Sequence, residues 1–181
     1  YSTVRTTRVI EECDVAAILI DINKGFHAQD KNIINHVIEK GKGLIIVINK
    51  WDLIDKDTYT MKNITEDIIY EYPNLKYFPI IFISVKHNLR ISRVMENTLK
   101  IYENLNKKIK THKLNLFLKK TLSNYPVPSV KGRDINIKYV SQLKVNAPLF
   151  CFFSSYPELI PESYKRYLKN QIQEEFNFLG V

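Results

Sequence analysis

The sequence predicts an α/β fold, a partial doubly wound parallel sheet, followed by a small α+β domain. Three observations carry this prediction. Short continuous apolar runs alternate with stretches of helical periodicity through about the first hundred residues. The pattern then changes, because two amphipathic helices flank two short strands in the remainder of the chain. The excess of positive charge is confined to this second part.

Continuous apolar runs predict the strands of the first part. They lie at residues 15–20, 44–48 and 79–83. Runs that do not alternate with polar residues are typical of strands buried on both faces. Apolar stripes at helical spacing follow each run, and the third stripe includes Met95, Leu99 and Tyr102. Repeated strand–helix units indicate parallel strands joined by right-handed crossovers, so residues 1–105 are predicted to form one such sheet.

The second part is predicted to be a small α-β-β-α domain over residues 113–181, after a polar linker at 106–112. A first helix ends before the Pro-rich stretch 125–129, which cannot be helical. Two strands and a helix follow, and Pro161 suits the first turn of that helix. Residues predicted to alternate in the first strand, and to form the stripe of the last helix, are Ile135, Ile137, Tyr139, Ser141, Tyr164, Leu168, Ile172 and Phe176.

Charge separates the two parts of the 181-residue chain, whose formal net charge is +8. Residues 1–105 carry 14 basic and 14 acidic residues, whereas residues 106–181 carry 13 basic and 5 acidic ones. A field of this sign favours polyanions, either nucleic acid or an anionic membrane surface. The alternative is a basic helix face that is simply solvated. With 45% hydrophobic and 25% charged residues, the composition excludes a disordered or fibrous chain.

Several other classes of protein are disfavoured. No apolar run approaches the ~18 residues of a membrane span, and the N-terminus does not resemble a signal peptide. Cys13 and Cys151 are too few for a disulfide framework, so we expect no disulfide partner. The four histidines lack metal-ligand spacing. Because the chain opens on Tyr1 in the middle of a pattern, we interpret it as a piece of a longer protein.

Polar residues follow the second and third apolar runs, where ligands bind to open α/β sheets. The second run leads into Asn49-Lys50-Trp51-Asp52, an N-K-x-D pattern. The Asp52 carboxylate can accept both the N1–H and the exocyclic amine of guanine, whereas adenine offers neither donor. The Lys50 stem can lie over the purine face, and Asn49 can tie the loop to its neighbours. The pattern therefore predicts a guanine site.

Ser84-Val85-Lys86, after the third run, supplies the other half of this site. A backbone N–H at Val85 can donate to guanine O6, and the Ser84 hydroxyl can hold Asp52. N-K-x-D alone is a weak signal, but its placement after a buried strand, with S-x-K one unit later, is specific. The alternative is that Asp52 caps the following turn. Trp51 is interpreted as a packing residue and Asp21 as a turn residue, with Gly25 closing the turn.

These motifs resemble the base-recognition motifs of Ras-like GTPases, and the chain as a whole resembles the Der (EngA) family of bacterial GTPases. The stretches that carry the second resemblance are residues 1–6, 41–53, 126–133 and 157–168. It implies that residues 1–105 are the C-terminal half of a Ras-like G domain and residues 113–181 a KH-like domain lacking its last strand. It also implies GTP/GDP binding, GTP hydrolysis by the full-length protein, assembly of the large ribosomal subunit, a monomer, and a bacterial or bacterial-type organellar compartment.

The departures from the family pattern limit what this segment is expected to do. None of the five glycines forms a P-loop, and no D-x-x-G is present, so the phosphate cradle, the Mg²⁺ ligands and any catalytic residue are absent. We therefore expect these 181 residues alone to bind nucleotide weakly or not at all and to hydrolyse none. The rival interpretation is a non-catalytic RNA- or ribosome-binding module. A dehydrogenase fragment is disfavoured because the sequence lacks a dinucleotide-binding glycine loop.

An ordinary KH domain clamps RNA with a G-x-x-G loop, which this sequence lacks, because Gly132 is the one glycine between residue 106 and Gly180. Contact with rRNA is therefore expected through phosphates. The candidate residues are Lys107, Lys108, Lys110, Lys113, Lys119, Lys120, Lys131, Arg133, Lys138 and Lys144. Tyr139 and Phe152 could stack on bases, but a position in the core is the preferred interpretation.

Overall fold

The computed structural model describes residues 2–55, 57–143 and 147–181, without the side chains of residues 2 and 3. The chain divides into two compact units, one of residues 1–105 with 179–181 and the other of residues 106–178. The predicted α/β class, with a parallel sheet followed by a small α+β unit, is confirmed.

The first unit alternates strands with helices. Its elements are α1 (Ser2–Glu12), β1 (Val15–Asp21), α2 (Ala28–Glu39), β2 (Gly43–Asn49), α3 (Thr60–Glu71), β3 (Ile80–Phe82) and α4 (Ile91–Leu105), with 3₁₀ turns at Trp51–Leu53 and Pro73–Tyr77. The strands are parallel and lie in the order β1-β2-β3. In this register Asp21 is the partner of Asn49, so the carboxyl ends of β1 and β2 coincide.

The central strand β2 is buried on both faces, as its continuous apolar run predicts. Leu44, Ile46 and Ile48 contribute to one core cluster, and Ile45 and Val47 contribute to another. Burial of each such side chain stabilises the fold by about 1.5–3 kcal/mol. Successive side chains of β2 therefore pack alternately into the hydrophobic clusters on the two faces of the sheet.

Two expectations of burial in this unit are wrong. Leu19 on β1 is 60% exposed, whereas Ile18 and Ile20, which point to the opposite face of the same strand, are buried. Met95 and Leu99 of α4 are 63% and 62% exposed, whereas Ile101 is buried. The apolar residues predicted to face the sheet are therefore not the ones that do so, because α4 packs through the face that contains Ile101.

The last three residues belong to the first unit, which differs from the predicted domain over 113–181. The Gly180 N–H donates to Tyr77 O at 2.7 Å, and the Leu44 N–H donates to Gly180 O at 2.9 Å. Gly180 has a φ of +84°, a conformation that glycine adopts without strain. Gly180 therefore provides a backbone partner for Leu44 at the start of β2, a residue that β3 does not pair with.

The second unit packs two helices against a two-stranded antiparallel sheet. Its elements are α5 (Thr111–Asn124), β4 (Ile137–Leu143), β5 (Leu149–Ser154) and α6 (Glu162–Phe176), with a 3₁₀ turn at Pro157–Leu159. Pro161 is the N-cap of α6. Of the stripe predicted for this helix, Tyr164, Leu168 and Ile172 are buried.

A β-bulge interrupts the alternation predicted for β4. The register shifts between Ile137 and Tyr139, so Ile137 and Val140 are buried while Tyr139 is 42% exposed. An extra residue in one strand reverses which side chains face the core beyond it. The preferred interpretation of Tyr139 as a core residue is therefore wrong, whereas Phe152 packs partly buried against the core.

Residues 106–112, predicted as a linker, are built into the second unit. Gln142 of β4 accepts a hydrogen bond from the Ile109 N–H and donates one to Lys107 O, both at 2.7 Å. Ile109 is buried. The polar composition of this segment suggests a solvated linker, but two of its backbone groups, the Ile109 N–H and Lys107 O, are bonded to the Gln142 side chain. Across the described residues, no helix is both long and apolar enough to cross a membrane.

Candidate functional site

The candidate site lies at the carboxyl edge of the parallel sheet, where β2 ends at Asn49. Lys50 follows in the left-handed conformation, with φ +65°, and turns the chain into the 3₁₀ helix that contains Asp52. The Trp51 N–H donates to Ile83 O at 3.0 Å. Its indole is buried 4.7 Å from the ring of Phe82, measured between centroids. Trp51 therefore anchors the loop by packing, in agreement with its interpretation from the sequence.

Asp52 is held by Ser84 across the two loops. The Ser84 hydroxyl donates to Asp52 Oδ1 at 2.5 Å, and its oxygen accepts the His87 N–H at 3.2 Å. Ser84 is fully buried, so both of these bonds satisfy a polar group that water cannot reach. The hydrogen bond from Ser84 is the main cause that lowers the pKa of Asp52 below its usual range. The carboxylate is therefore ionised at neutral pH.

Asp52 does not cap the 3₁₀ helix, which was the alternative reading. The N-cap position of that helix is Lys50, and Asp52 lies inside it. Its side chain is 17% exposed, and the second carboxylate oxygen, Oδ2, lies 3.7 Å from His87 Nε2. One oxygen thus accepts a hydrogen bond from Ser84, and the other lies near His87, a residue that no sequence motif indicated.

Asn49 ties the same two loops together through a second hydrogen bond. The Val85 N–H donates to Asn49 Oδ1 at 3.2 Å. This backbone donor, expected to serve guanine O6, is therefore already engaged. The adjacent Lys86 N–H has no acceptor within the described parts of the chain.

Lys50 forms an ion pair that the sequence did not predict. Its Nζ lies 2.7 Å from Asp21 Oδ2, and this bond is the main cause that lowers the pKa of Asp21. Asp21 also closes the turn as expected, because its carbonyl accepts the Gly25 N–H at 3.0 Å. The position of Asp21 at the end of β1, beside Asn49, is the feature from which its ion pair with Lys50 could have been predicted.

The described residues do not provide a metal centre. Among residues 2–55, 57–143 and 147–181, no group of three or more His, Cys, Asp or Glu side chains could hold a metal ion. Mg²⁺ at a nucleotide site is usually held by one or two protein ligands together with substrate phosphates and water, so the expectation that its ligands lie outside this segment stays a prediction from the sequence.

The predicted phosphate contacts are exposed and distributed over the second unit. Lys119 and Lys120 lie on α5, Lys131 and Arg133 on a turn closed by the pairing of Val130 with Arg133, and Lys138 on β4. Lys120 lies 3.9 Å from Glu175, and the Arg133 guanidinium stands 5.1 Å from the ring centroid of Tyr156. Lys144 lies outside the described residues.

Comparison with known families divides the chain near residue 107, as the structure does, but includes residues 179–181 in the second part. Residues 3–107 match the elongation factor Tu GTP-binding domain family, and residues 108–181 match the family described as the KH-domain-like region of EngA bacterial GTPase enzymes, C-terminal. The fold and the site thus define part of a GTP-binding domain followed by a KH-like domain. The chain belongs to the Der (EngA) family of GTPases.

Relatives named GTPase Der align over the whole chain. The protein of Chlorobium phaeobacteroides is 42% identical over 181 residues, that of Amoebophilus asiaticus 39% and that of Flavobacterium johnsoniae 38%. The chain spans 42%, 42% and 41% of these relatives, respectively. Among solved structures, Aquifex aeolicus Era bound to GDP·AlF4⁻ aligns at 18% identity with a TM-score of 0.45, over 94% of this chain and 62% of that one.

Proposed function

We propose that the first unit reads the guanine base of GTP or GDP, within a longer GTPase that acts in assembly of the large ribosomal subunit. The observation that carries the proposal is the pair of hydrogen bonds, Ser84 to Asp52 and Val85 to Asn49, that joins two loops at one sheet edge. Two loops held together in this way present a fixed carboxylate, which is the group that guanine recognition requires.

Asp52 provides the discrimination between guanine and adenine. An ionised carboxylate accepts hydrogen bonds from both N1–H and the exocyclic amine of guanine. Bidentate readout of a base is worth roughly 1–3 kcal/mol. Since adenine offers no donor at either position, its binding would leave the carboxylate unpaired, which adds to the penalty. The lowered pKa of Asp52 supports this role, because a protonated carboxyl could accept only one of the two bonds well.

The O6 end of the same edge of the base meets the Ser84-Val85-Lys86 loop. Guanine carries a carbonyl at O6, where adenine carries an amine, so a backbone N–H at this point selects guanine again. Val85 donates to Asn49, so we assign the O6 contact to the Lys86 N–H beside it. Lys50, held on Asp21, places its aliphatic stem at the face of the base.

Hydrolysis belongs to the longer protein. Phosphoryl transfer depends on a phosphate cradle and Mg²⁺, which neutralises the charge that develops on the transferred group. Because the sequence contains neither a P-loop nor a D-x-x-G motif, these 181 residues alone are expected to hydrolyse no GTP.

The second unit supplies contact with ribosomal RNA. The 13 basic and 5 acidic residues of 106–181 produce a positive field. Five of the residues expected at phosphates are exposed, namely Lys119, Lys120, Lys131, Arg133 and Lys138. The second candidate function is a non-catalytic RNA- or ribosome-binding module in which the first unit is structural. The concentration of the excess positive charge in residues 106–181 favours it. In either case we assign the protein to the bacterial cytoplasm or an organelle of bacterial type.

Exchange of Asp52 for Asn in the full-length protein tests the base assignment. Asp52→Asn removes one acceptor and adds a donor, so it should lower affinity for GTP and raise affinity for xanthosine triphosphate, which carries a carbonyl at C2. Asp67→Asn, an exposed site on α3, makes the same chemical change away from the sheet edge and serves as the control. If the Asp52 variant retained its preference for GTP, the first unit would not read guanine and the structural-module alternative would stand.

A further inference from the structure

A pocket of about 690 Å³ opens within the second unit, whereas the residues proposed to read guanine belong to the first. Its walls come from residues 107–110, which precede α5, from one side of α5, and from the end of α6. The volume lies within the ~300–1,000 Å³ usual for sites that enclose a small ligand. The pocket is therefore large enough to take up a nucleotide.

The rim of the pocket is strongly basic. Five lysines line it with a single acidic residue, Glu175. Lys107 Nζ is held by Phe176 O at 2.6 Å, and Lys120 lies 3.9 Å from Glu175. The remaining three, Lys108, Lys110 and Lys113, are exposed, and no hydrogen bond or ion pair engages their side chains within the described ranges. Three uncompensated charges around one opening favour an anionic ligand.

The floor of the same pocket is apolar and partly aromatic. Phe117 and Phe176 meet edge to face, with ring centroids 5.4 Å apart, and Leu116 beside them is 55% exposed. An apolar floor below a cationic rim matches a ligand that has a flat, weakly polar part and flanking anions. Nucleotides in a single strand have this composition, because every base has an apolar face and a phosphate on either side.

We propose that this pocket binds single-stranded RNA, with one base against Leu116 and the aromatic floor and the flanking phosphates at Lys108, Lys110 and Lys113. The inference rests on the proposed RNA-binding function and gives it a location. An anionic membrane is the weaker candidate. Insertion into a bilayer requires several exposed apolar side chains, whereas Leu116 is the one exposed apolar residue in this lining.

The phosphate part of the proposal is tested by the salt dependence of binding. A fluorescent ten-nucleotide RNA is titrated with the full chain at several salt concentrations, comparing the unmodified protein with K108A/K113A. Removing two phosphate contacts should reduce the slope of log K against log salt by about 1.4, because each contact with a single strand contributes about 0.7. The control K62A/K100A removes two exposed lysines from the first unit and should leave the slope unchanged.

The base part is tested with a second RNA that carries abasic sites and with Leu116→Ala. The unmodified chain should bind the abasic RNA at least about fivefold more weakly, the usual scale of stacking, and Leu116→Ala should reduce this difference. A parallel measurement uses vesicles that contain phosphatidylserine, and tighter binding there than to RNA would overturn the proposal in favour of a membrane.

Two further outcomes distinguish the pocket assignment from the proposed RNA-binding function. If the unmodified chain binds RNA steeply with salt but K108A/K113A behaves like the control, the pocket assignment is wrong while the proposed RNA-binding function remains. If the unmodified chain binds no RNA at any salt concentration, both are overturned.

Discussion

The carbonyl oxygen of Gly180 accepts a 2.9 Å hydrogen bond from the Leu44 N–H, which joins the last residues of the chain to the beginning of the central strand. Ile101 of α4 packs directly on Gly180, so closely that a Cβ at this position would overlap its side chain. Gly43 is equally restricted, because its Cβ would stand 2.5 Å from Ile101 Cγ2. One isoleucine therefore requires glycine at two positions that are distant in sequence.

Gly180→Ala should lower the stability of the chain. The substitution combines a left-handed backbone, which costs an L-residue roughly 1–2 kcal/mol, with overpacking against Ile101, which typically costs about 1–3 kcal/mol. The matched control is Gly132→Ala, because Gly132 also has a positive φ but nothing lies within 4 Å of its Cβ. Thermal unfolding measures both, and equal losses would mean that Ile101 does not constrain Gly180.

Ser84→Ala should raise the pKa of Asp52 and weaken GTP binding by the full-length protein roughly tenfold, since it removes a hydrogen bond to a charged group. A lowered pKa means that the contribution of the carboxylate is present at neutral pH and is lost as the pH falls through its native value. The variant should therefore lose affinity at a higher pH than the unmodified protein. Equilibrium binding of GTP from neutral pH down to values below 3.8, the ordinary pKa of an aspartate, measures the shift, and Ser92→Ala on the surface of α4 should cause none.

Gln142→Ala should destabilise the second unit, because it leaves the Ile109 N–H and Lys107 O without their partner. An unsatisfied buried polar group costs about 1–3 kcal/mol. Urea unfolding gives the loss of free energy, and hydrogen exchange at the Ile109 amide should accelerate. Gln171→Ala, whose side chain makes only a 3.4 Å contact with Glu174, should change neither quantity. Unchanged exchange at Ile109 in the first variant would contradict the role given to Gln142.

Tyr164 should be the last tyrosine to ionise. Its hydroxyl donates to Tyr125 O at 2.7 Å, and burial is the main cause that raises its pKa from 10.0 to about 12. The neutral phenol is the stable form in the fold, so its contribution to stability is complete below pH 10 and is lost as the pH rises toward 12.

An absorbance titration of phenolate formation tests this assignment. Tyr164→Phe should remove the step at highest pH, whereas Tyr70→Phe, at a residue that is 90% exposed, should leave it in place. Persistence of the late step in the Tyr164 variant would show that another tyrosine is responsible.

Local patterns in the sequence were sufficient to predict the strands, their parallel direction and the family, whereas the guanine site stays a prediction. The continuous apolar runs exist because β2 is buried on both faces, and the polar residues that follow them are the ones that reach the sheet edge. The pairing of Ser84 with Asp52 also followed from the sequence, because the carboxyl ends of adjacent parallel strands lie side by side.

Only the tertiary structure decided how single residues are used. The β-bulge between Ile137 and Tyr139, the capture of Val85 by Asn49 and the role of Gln142 each depend on a partner distant in the sequence. Periodicity records which residues share a face of one element, since that face is buried as a whole. It carries no information about which neighbour satisfies a particular N–H, because that depends on where the rest of the chain lies in space.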